Sequence, residues 1–412
     1  MSDLQKPINQ NEIDENFAQL KPLMDANMAY YESSRCLFCY DAPCIKACPT
    51  GIDIPLFIKQ INTNNITGAA RTIYANNYFG NTCGKVCPTE VLCEGACVYN
   101  EQNVKAIEIG RLQSHATTKA IIENKSLFTK KKENGHKIAI IGAGPAGISC
   151  ACELRKMGYS VDIFEAKSTP GGLALHGTAP YKITNTEVTD EINFLKSQFG
   201  FNIHYNNPID TSDKLKKIEK KYDAIFLGIG LGKTNMPKIS GKNLQNCRGA
   251  TEFIEDFKRD PLNTRMGKKI VIVGGGNTAM DAASEAARMG ADTTLVYRRS
   301  KNEMGAYDFE YDLIKSVGAK ALFNVTVKKV LGGTKVQKIV CVKTQSKNGV
   351  LVEIEGSEFS ISCNFLILAT GQEKQISILR LAGVEYDGKG KVQTNPITLQ
   401  CSNPKYFSGG DA

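Results

Sequence analysis

The sequence predicts a cysteine-rich, α-helical N-terminal domain followed by two Rossmann-like α/β dinucleotide-binding domains, the second inserted within the first. Three observations carry this. Eight of the fourteen cysteines lie in the first hundred residues, where helical periodicity dominates and strand signals are nearly absent. Two strand–glycine turn–helix signatures follow, K-I-A-I-I-G-A-G-P-A-G-I at 137–148 and K-I-V-I-V-G-G-G-N-T-A-M-D at 269–281. A last apolar strand, N-F-L-I-L-A-T-G at 364–371, returns to the pattern of the first signature, so the second domain reads as an insertion. The expected boundaries are 1–125 for the helical domain and 126–136 for a linker. The first dinucleotide domain is expected at 137–238 and 364–412, the second at 239–363.

A chain of 412 residues suits two or three domains, and 42% hydrophobic with 23% charged residues is ordinary globular composition. No apolar run approaches the roughly 20 residues that span a bilayer. The start, M-S-D-L-Q-K-P-I-N-Q, lacks the apolar core of a signal peptide. A cytoplasmic protein with no membrane partner is expected. There disulfides are disfavoured, and clustered cysteines point to metal or redox chemistry. The net charge of +9 peaks at K-K-K, 130–132, inside a stretch that reads as a solvated linker. No interleaved aromatic and basic pattern marks a nucleic-acid surface. The charge suits an anionic cofactor or an acidic partner.

In the helical region, I-P-L-F-I-K-Q-I at 54–61, T-G-A-A-R-T-I-Y-A at 67–75 and the stretch 104–123 carry helical periodicity. The first cysteine group is Cys36, Cys39, Cys44 and Cys48-Pro49, C-x2-C-x4-C-x3-C-P; the second is Cys83, Cys87, Cys93 and Cys97. Short spacings let one loop hold three corners of a cubane while a fourth ligand comes from elsewhere. In two-cluster ferredoxins the cysteine before proline serves the other cluster. By that logic Cys36, Cys39 and Cys44 hold one cluster and Cys48 crosses to the second. Zinc also takes four thiolates, but zinc ribbons usually repeat C-x2-C twice, which neither group does. The residues alone do not rank Cys83 against Cys97, nor reveal a non-cysteine ligand. Cys150, Cys152, Cys247, Cys341, Cys363 and Cys401 read as buried small hydrophobes.

The first glycine turn holds Gly142, Gly144 and Gly147, with Pro145 and Ala146 between, after a strand and before a helix. That context seats a pyrophosphate on the helix N-terminus. Glu165 ends the next strand and suits ribose hydroxyls. Gly171, Gly172 and Leu173 follow in a turn suited to a flavin. The second turn is Gly274-Gly275-Gly276-Asn277-Thr278-Ala279, and its second strand ends in Arg298-Arg299 with no acid. Arginine there favours the 2′-phosphate of NADP(H) over NAD(H). Two dinucleotide sites and iron–sulfur clusters make an electron path, hydride first and single electrons after. No catalytic acid–base side chain is required, because stacking geometry governs hydride transfer.

With R-C-L-F-C-Y-D-A-P-C-I-K-A-C-P-T, T-C-G-K-V-C-P-T-E-V-L-C-E-G-A-C and I-G-R-L-Q together, the chain resembles dihydropyrimidine dehydrogenase over essentially its whole length. It looks most like the flavin-bearing subunit of the bacterial NAD(P)-dependent two-subunit form. It is also similar to the glutamate synthase small subunit. D-A-P-C and P-T-G-I-D-I-P-L-F-I favour the former. The resemblance implies an α-helical iron–sulfur N-terminal domain, an FAD domain and an inserted NAD(P) domain. It assigns Cys36, Cys39, Cys44 and Cys97 to one 4Fe–4S cluster, and Cys48, Cys87, Cys93 and Gln113 to a second. Gln113 stands sixteen residues after Cys97, and Cys83 matches a non-ligand.

The resemblance also implies FAD in the first site, touched by Thr370, Gly371, Gly410 and Asp411. Family members continue past G-G-D-A into a helix that meets the flavin, so the FAD domain is expected to be truncated here. The pyrimidine-reducing barrel has no counterpart in the sequence. The expected role is electron input from NAD(P)H through FAD and two 4Fe–4S clusters to a separate FMN-containing, pyrimidine-reducing subunit, in a hetero-oligomer. The alternatives are a glutamate synthase small subunit, or a related iron–sulfur flavoprotein serving another redox partner. A metal-binding interaction protein with vestigial glycine motifs is the reading from another class.

Overall fold

The computed structural model describes residues 9–412; the polar start read above falls mostly on residues 1–8, outside the described residues. The cysteine-rich region is built from α1 (Gln10–Asn16), α2 (Ala26–Ser34), α3 (Pro43–Ala47), α4 (Ile54–Asn62), α5 (Ile66–Asn76), α6 (Gly80–Val86) and α7 (Ile109–Ile122). Local chemistry starts several of these helices. Asp25, Asp53 and Asn65 accept the amides of Met28, Leu56 and Gly68 at the open ends of α2, α4 and α5. Ile54, Phe57, Ile58 and Ile61 recur at helical spacing and bury with Ile73, Leu112 and Ala116. Each such side chain contributes about 1.5–3 kcal/mol of burial.

The first nucleotide fold alternates β1 (Lys137–Ile141), α8 (Pro145–Lys156), β2 (Ser160–Phe164), α9 (Gly172–His176), α10 (Asn185–Phe199), β3 (Asn202–His204), α11 (Ser212–Lys221) and β4 (Ala224–Leu227). β5 (Leu231–Thr234) leads on to β6 (Cys247–Gly249), α12 (Ala250–Arg259), β7 (Lys269–Val273), α13 (Asn277–Arg288), β8 (Asp292–Tyr297), α14 (Asp308–Ser316) and β9 (Lys320–Phe323). Then come β10 (Val325–Leu331), β11 (Lys338–Lys347), β12 (Val350–Glu353), β13 (Phe359–Ser362) and β14 (Phe365–Leu368). β15 (Gln372–Lys374) pairs with β5 as the chain returns, and α15 (Ile376–Ala382) precedes β16 (Tyr406–Ser408).

Two parallel five-stranded sheets result, ordered β16-β4-β1-β2-β3 and β6-β14-β7-β8-β9. Their central strands are apolar on both faces, as in K-I-A-I-I and K-I-V-I-V, because helices cover both sides. β10 to β13 form an antiparallel layer that the sequence reading did not single out.

The chain divides into two compact units, one of residues 19–175, 182–231 and 374–412, the other up to Ala18 with 176–181 and 232–373. Three expectations shift as a result. Residues 364–371 were expected with the first dinucleotide fold, yet β14 lies inside the second sheet, with Leu366 opposite Val271. F-L-I-L suits the centre of any parallel sheet, so its apolarity does not say which sheet it joins. α1 was expected among the cysteine-rich helices, yet Ile13 and Phe17 bury with Phe253, Phe257 and Tyr181. Phe17 lies 4.7 Å from Phe257 between ring centroids. A seven-residue helix with so few apolar residues builds no core of its own. The 126–136 stretch is anchored rather than free. Leu127 is buried, its amide donates to Gln198 Oε1, and Phe128 lies tilted against Phe199, 4.6 Å between ring centroids.

Candidate functional site

The cysteines are placed by short helices whose ends turn back on a small apolar core. Cys36, Cys39, Cys44 and Cys97 line one cavity, walled by Ile54, Ile58 and Ile107. Sequence spacing brings the first three together; Cys97 arrives from the end of the second cysteine group. Burial pushes the Cys44 thiol up to about 11 and raises Cys36 as well. These thiols are neutral until a cation draws off their protons. Among the described residues no three His, Cys, Asp or Glu side chains converge on a point suited to a single ion. The four thiols surround one cavity, a donor set that fits a 4Fe–4S cluster.

Cys48, Cys87 and Cys93 lie within electrostatic reach of one another. Burial pushes Cys93 up to about 12. The Cys83 thiol donates to the sulfur of Cys87, which lowers the Cys87 pKa and raises that of Cys83. Gln113 comes from α7. α6 and α7 approach closely where glycine meets glycine: a Cβ on Gly84 would fall 2.8 Å from the Gly110 carbonyl, and one on Gly110 would fall 2.6 Å from that of Gly84. One turn beyond this crossing, buried Gln113 donates Nε2–H to the Gly80 carbonyl at 2.7 Å. No hydrogen bond from a described residue reaches its Oε1, which leaves that amide oxygen open to a metal.

The first glycine turn lies at the C-terminal end of β1. Gly142 has φ +104° and passes so close to Gly228 that a Cβ would fall 2.4 Å from its carbonyl. A Cβ on Gly147 would fall 2.0 Å from the Gly142 carbonyl, so α8 starts directly against the strand. Gly144 faces open space, with only Gly172 Cα as near as 3.9 Å to its Cβ position. Pro145 and Ala146 form the first turn of α8. The Ala143 amide donates to Glu165 Oε2 at 2.7 Å, tying the strand-end carboxylate to the turn. Gly171 donates to the Ala143 carbonyl at 2.8 Å, bringing Gly172 and Leu173 alongside. Gly410 follows β16, where a Cβ would fall 3.0 Å from Ala146 Cβ, and the Asp411 carbonyl accepts from Lys374 Nζ at 2.7 Å. The result is a glycine-floored cradle at a helix N-terminus, and it fits a dinucleotide.

The second turn repeats this at the C-terminal end of β7. Gly274 packs on the Ala369 carbonyl and Gly275 on the Tyr297 ring, whereas Gly276 has nothing within 4 Å of its Cβ position. Ala279 is buried, and Asn277 Oδ1 accepts the Tyr307 amide at 3.2 Å. Thr278 completes the first turn of α13. Beyond β8 the backbone is fixed, since the Arg298 carbonyl accepts from Thr344 and the Arg299 carbonyl from Asn324. Among the described residues neither guanidinium makes a hydrogen bond or ion pair, though Arg299 adds to the lowering of the Glu303 pKa that Ser300 dominates. Thr370 and Gly371, expected at the first dinucleotide, follow β14 on the second sheet, and Thr370 donates to the Asn235 carbonyl at 2.7 Å. Sequence reasoning missed Gly228, Tyr297 and Gly80, which are legible only once partners meet in space.

This fold and these sites define an iron–sulfur flavoprotein oxidoreductase that works with NAD(P)H. Residues 136–412 match the model described as pyridine nucleotide-disulphide oxidoreductase, and the chain belongs to that family. Residues 13–125 match dihydropyrimidine dehydrogenase domain II, 4Fe-4S cluster. The chain is 30% identical over 405 residues to the NAD-dependent dihydropyrimidine dehydrogenase subunit PreT of Escherichia coli, covering 98% of this chain and 92% of the relative. It is 29% identical over 430 residues to the glutamate synthase [NADPH] small chain of Escherichia coli, covering 98% and 90%. Among solved structures, Mycobacterium tuberculosis FprA in complex with NADPH shares the fold at TM-score 0.56 and 16% identity, over 67% of this chain and 78% of that one. Among the described residues no helix is long and apolar enough to cross a membrane.

Proposed function

We propose that this chain is an electron-input subunit that takes hydride from NADPH at the second glycine turn and passes electrons by way of FAD to two 4Fe–4S clusters. A separate partner subunit, an FMN-containing pyrimidine reductase, receives them. One observation carries the reading. Three closely spaced cysteines and a fourth more than fifty residues further on surround one cavity, in the same compact unit as the first glycine turn. Bound in these sites, the nucleotides supply hydride chemistry and the clusters supply one-electron carriage.

The chain's own residues do the rest. Cys36, Cys39, Cys44 and Cys97 ligate one cluster, and Cys48, Cys87, Cys93 and Gln113 the other. Gly144 and the start of α8 seat the FAD pyrophosphate, with Glu165 near its ribose and Gly410 and Asp411 closing over it. Gly276 and the start of α13 seat that of NADPH, and Arg298 and Arg299 reach its 2′-phosphate. The nucleotide domain is the 232–373 segment, inserted in a flavin domain that resumes at 374. The related subunits named above are NAD-dependent in one case and NADPH-dependent in the other, so the arginine pair decides preference here.

A glutamate synthase partner is the alternative, supported by the similar identity to that small chain. The test is reconstitution with each class of partner under anaerobic NADPH. Uracil reduction with the FMN subunit supports the reading; glutamate formation with a large amidotransferase subunit, and none of the former, overturns it.

A further inference from the structure

One fully buried carboxyl belongs to neither nucleotide turn and to neither cysteine group. Glu191, on α10 of the first nucleotide fold, is 0% exposed. Its Oε1 accepts from the Asn81 amide at 2.6 Å and the Tyr74 hydroxyl at 3.0 Å. Its Oε2 accepts from the Thr82 amide at 2.9 Å and the Thr82 hydroxyl at 2.6 Å. The Asn81 N–H and the Gly80 C=O are two ends of one peptide unit. That carbonyl is the acceptor for Gln113 Nε2–H at 2.7 Å. A single peptide therefore joins Glu191 to Gln113 in one hydrogen-bonded chain.

Shielded from water, such bonds polarise one another in the same sense. An acidic acceptor on the amide makes the carbonyl at its other end a stronger acceptor. That tightens its hold on Nε2 and leaves Oε1 as the only atom Gln113 can offer. Ligand orientation by a hydrogen-bonded outer partner is a general feature of metal sites. A second contact keeps the helices in register, since Lys85 on α6 pairs with Glu187 on α10 at 2.9 Å.

We propose that Glu191 is a positioning residue for the second cluster, fixing the Gln113 amide through the Gly80–Asn81 peptide so that Oε1 is presented to iron. This rests on the ligand role given to Gln113 above. The distinction from a plain helix anchor lies in selectivity. An anchor would act through all four donors and on the whole unit, whereas the chain described here runs through Oε1 alone.

The test compares Glu191→Gln, Thr82→Val and Gln113→Ala in the full chain, purified anaerobically with clusters. The readouts are iron per chain, the electron paramagnetic resonance spectrum after dithionite reduction, and the rate of iron loss to a chelator. Glutamine offers one acceptor oxygen to donors that need two. Glu191→Gln should shift the signal of one cluster and weaken its hold on iron by roughly 10–100-fold, the usual effect of losing an outer partner. Thr82→Val removes a donor to Oε2, leaves the peptide chain intact, and should keep the wild-type spectrum. In a Gln113→Ala background, Glu191→Gln should add nothing. Equal shifts from Glu191→Gln and Thr82→Val, or loss of both clusters in Glu191→Gln, would overturn the proposal. If Gln113→Ala leaves the spectra unchanged, the ligand assignment itself falls. If Gln113→Ala alters them and Glu191→Gln does not, only the link falls.

Discussion

Replacing Gly276 with alanine separates what the second glycine turn does for the fold from what it does for the nucleotide. Gly276 has φ −104° and ψ 175°, extended backbone that any residue adopts, and a Cβ there meets nothing within 4 Å. The folded chain accommodates the methyl. Restricting the unfolded chain then stabilises the variant by about 0.4–1 kcal/mol. In the proposed placement, the open space is where a pyrophosphate would approach the N-terminus of α13. A methyl in that space forfeits one or two charge-assisted hydrogen bonds, each about 1.5–3 kcal/mol. Losing one or two of them costs about 1.5–6 kcal/mol, so NADPH binding weakens at least roughly 10-fold. Gly275→Ala is the contrast, because its Cβ would fall 2.3 Å from the Tyr297 ring and must displace it. Thermal unfolding and anaerobic NADPH titration of both variants make the assay. Gly276→Ala should keep or raise Tm while losing nucleotide, and Gly275→Ala should lower Tm. Binding within twofold of wild type in Gly276→Ala would refute the placement of the nucleotide.

Further expectations concern charge, sulfur and pH. Arg298→Ala with Arg299→Ala should raise the KM for NADPH about tenfold or more and spare NADH, as loss of a charged hydrogen bond predicts; equal effects on both coenzymes contradict a 2′-phosphate role. Cys83→Ser should keep the iron of both clusters if the proposed ligand set, which leaves Cys83 out, is right; iron analysis showing a lost cluster would reverse that. Burial pushes the Glu191 carboxyl from an ordinary 4.5 up to about 7. The folded state therefore holds this proton more tightly than the unfolded chain. Glu191 should make stability fall as pH rises from about 4.5 to 7 and level off above, by about 3 kcal/mol in all. Denaturant unfolding of apoprotein across that range should show the slope in wild type and lose it in Glu191→Gln.

The parallel sheets and both glycine turns were legible because each rests on a contiguous stretch: an apolar strand, a turn and a helix start within a dozen residues. Cys36, Cys39 and Cys44 were legible for the same reason. The grouping of Cys97 with the first three cysteines was not reachable by spacing alone, since only the folded cavity brings it to them, and Gln113 carries no spacing signal on α7. They entered through family resemblance. The strand at 365–368 was seen as a strand but given to the wrong sheet, because F-L-I-L encodes burial on both faces and not a neighbour. α1 illustrates the complementary case, a helix whose apolar pair finds its partners more than one hundred and sixty residues away. Glu191 carries no local signal at all. Its burial follows from donors on α5 and α6 that only the folded chain brings to it.

The central claim is an electron conduit through two cubanes. Iron, acid-labile sulfide and zinc per chain, measured on anaerobically purified protein, test it most directly. About eight iron and eight sulfide per chain is the predicted result, two clusters of four. Zinc without sulfide would contradict it, leaving the cysteines as structural ligands with no one-electron carrier between the flavin and any partner.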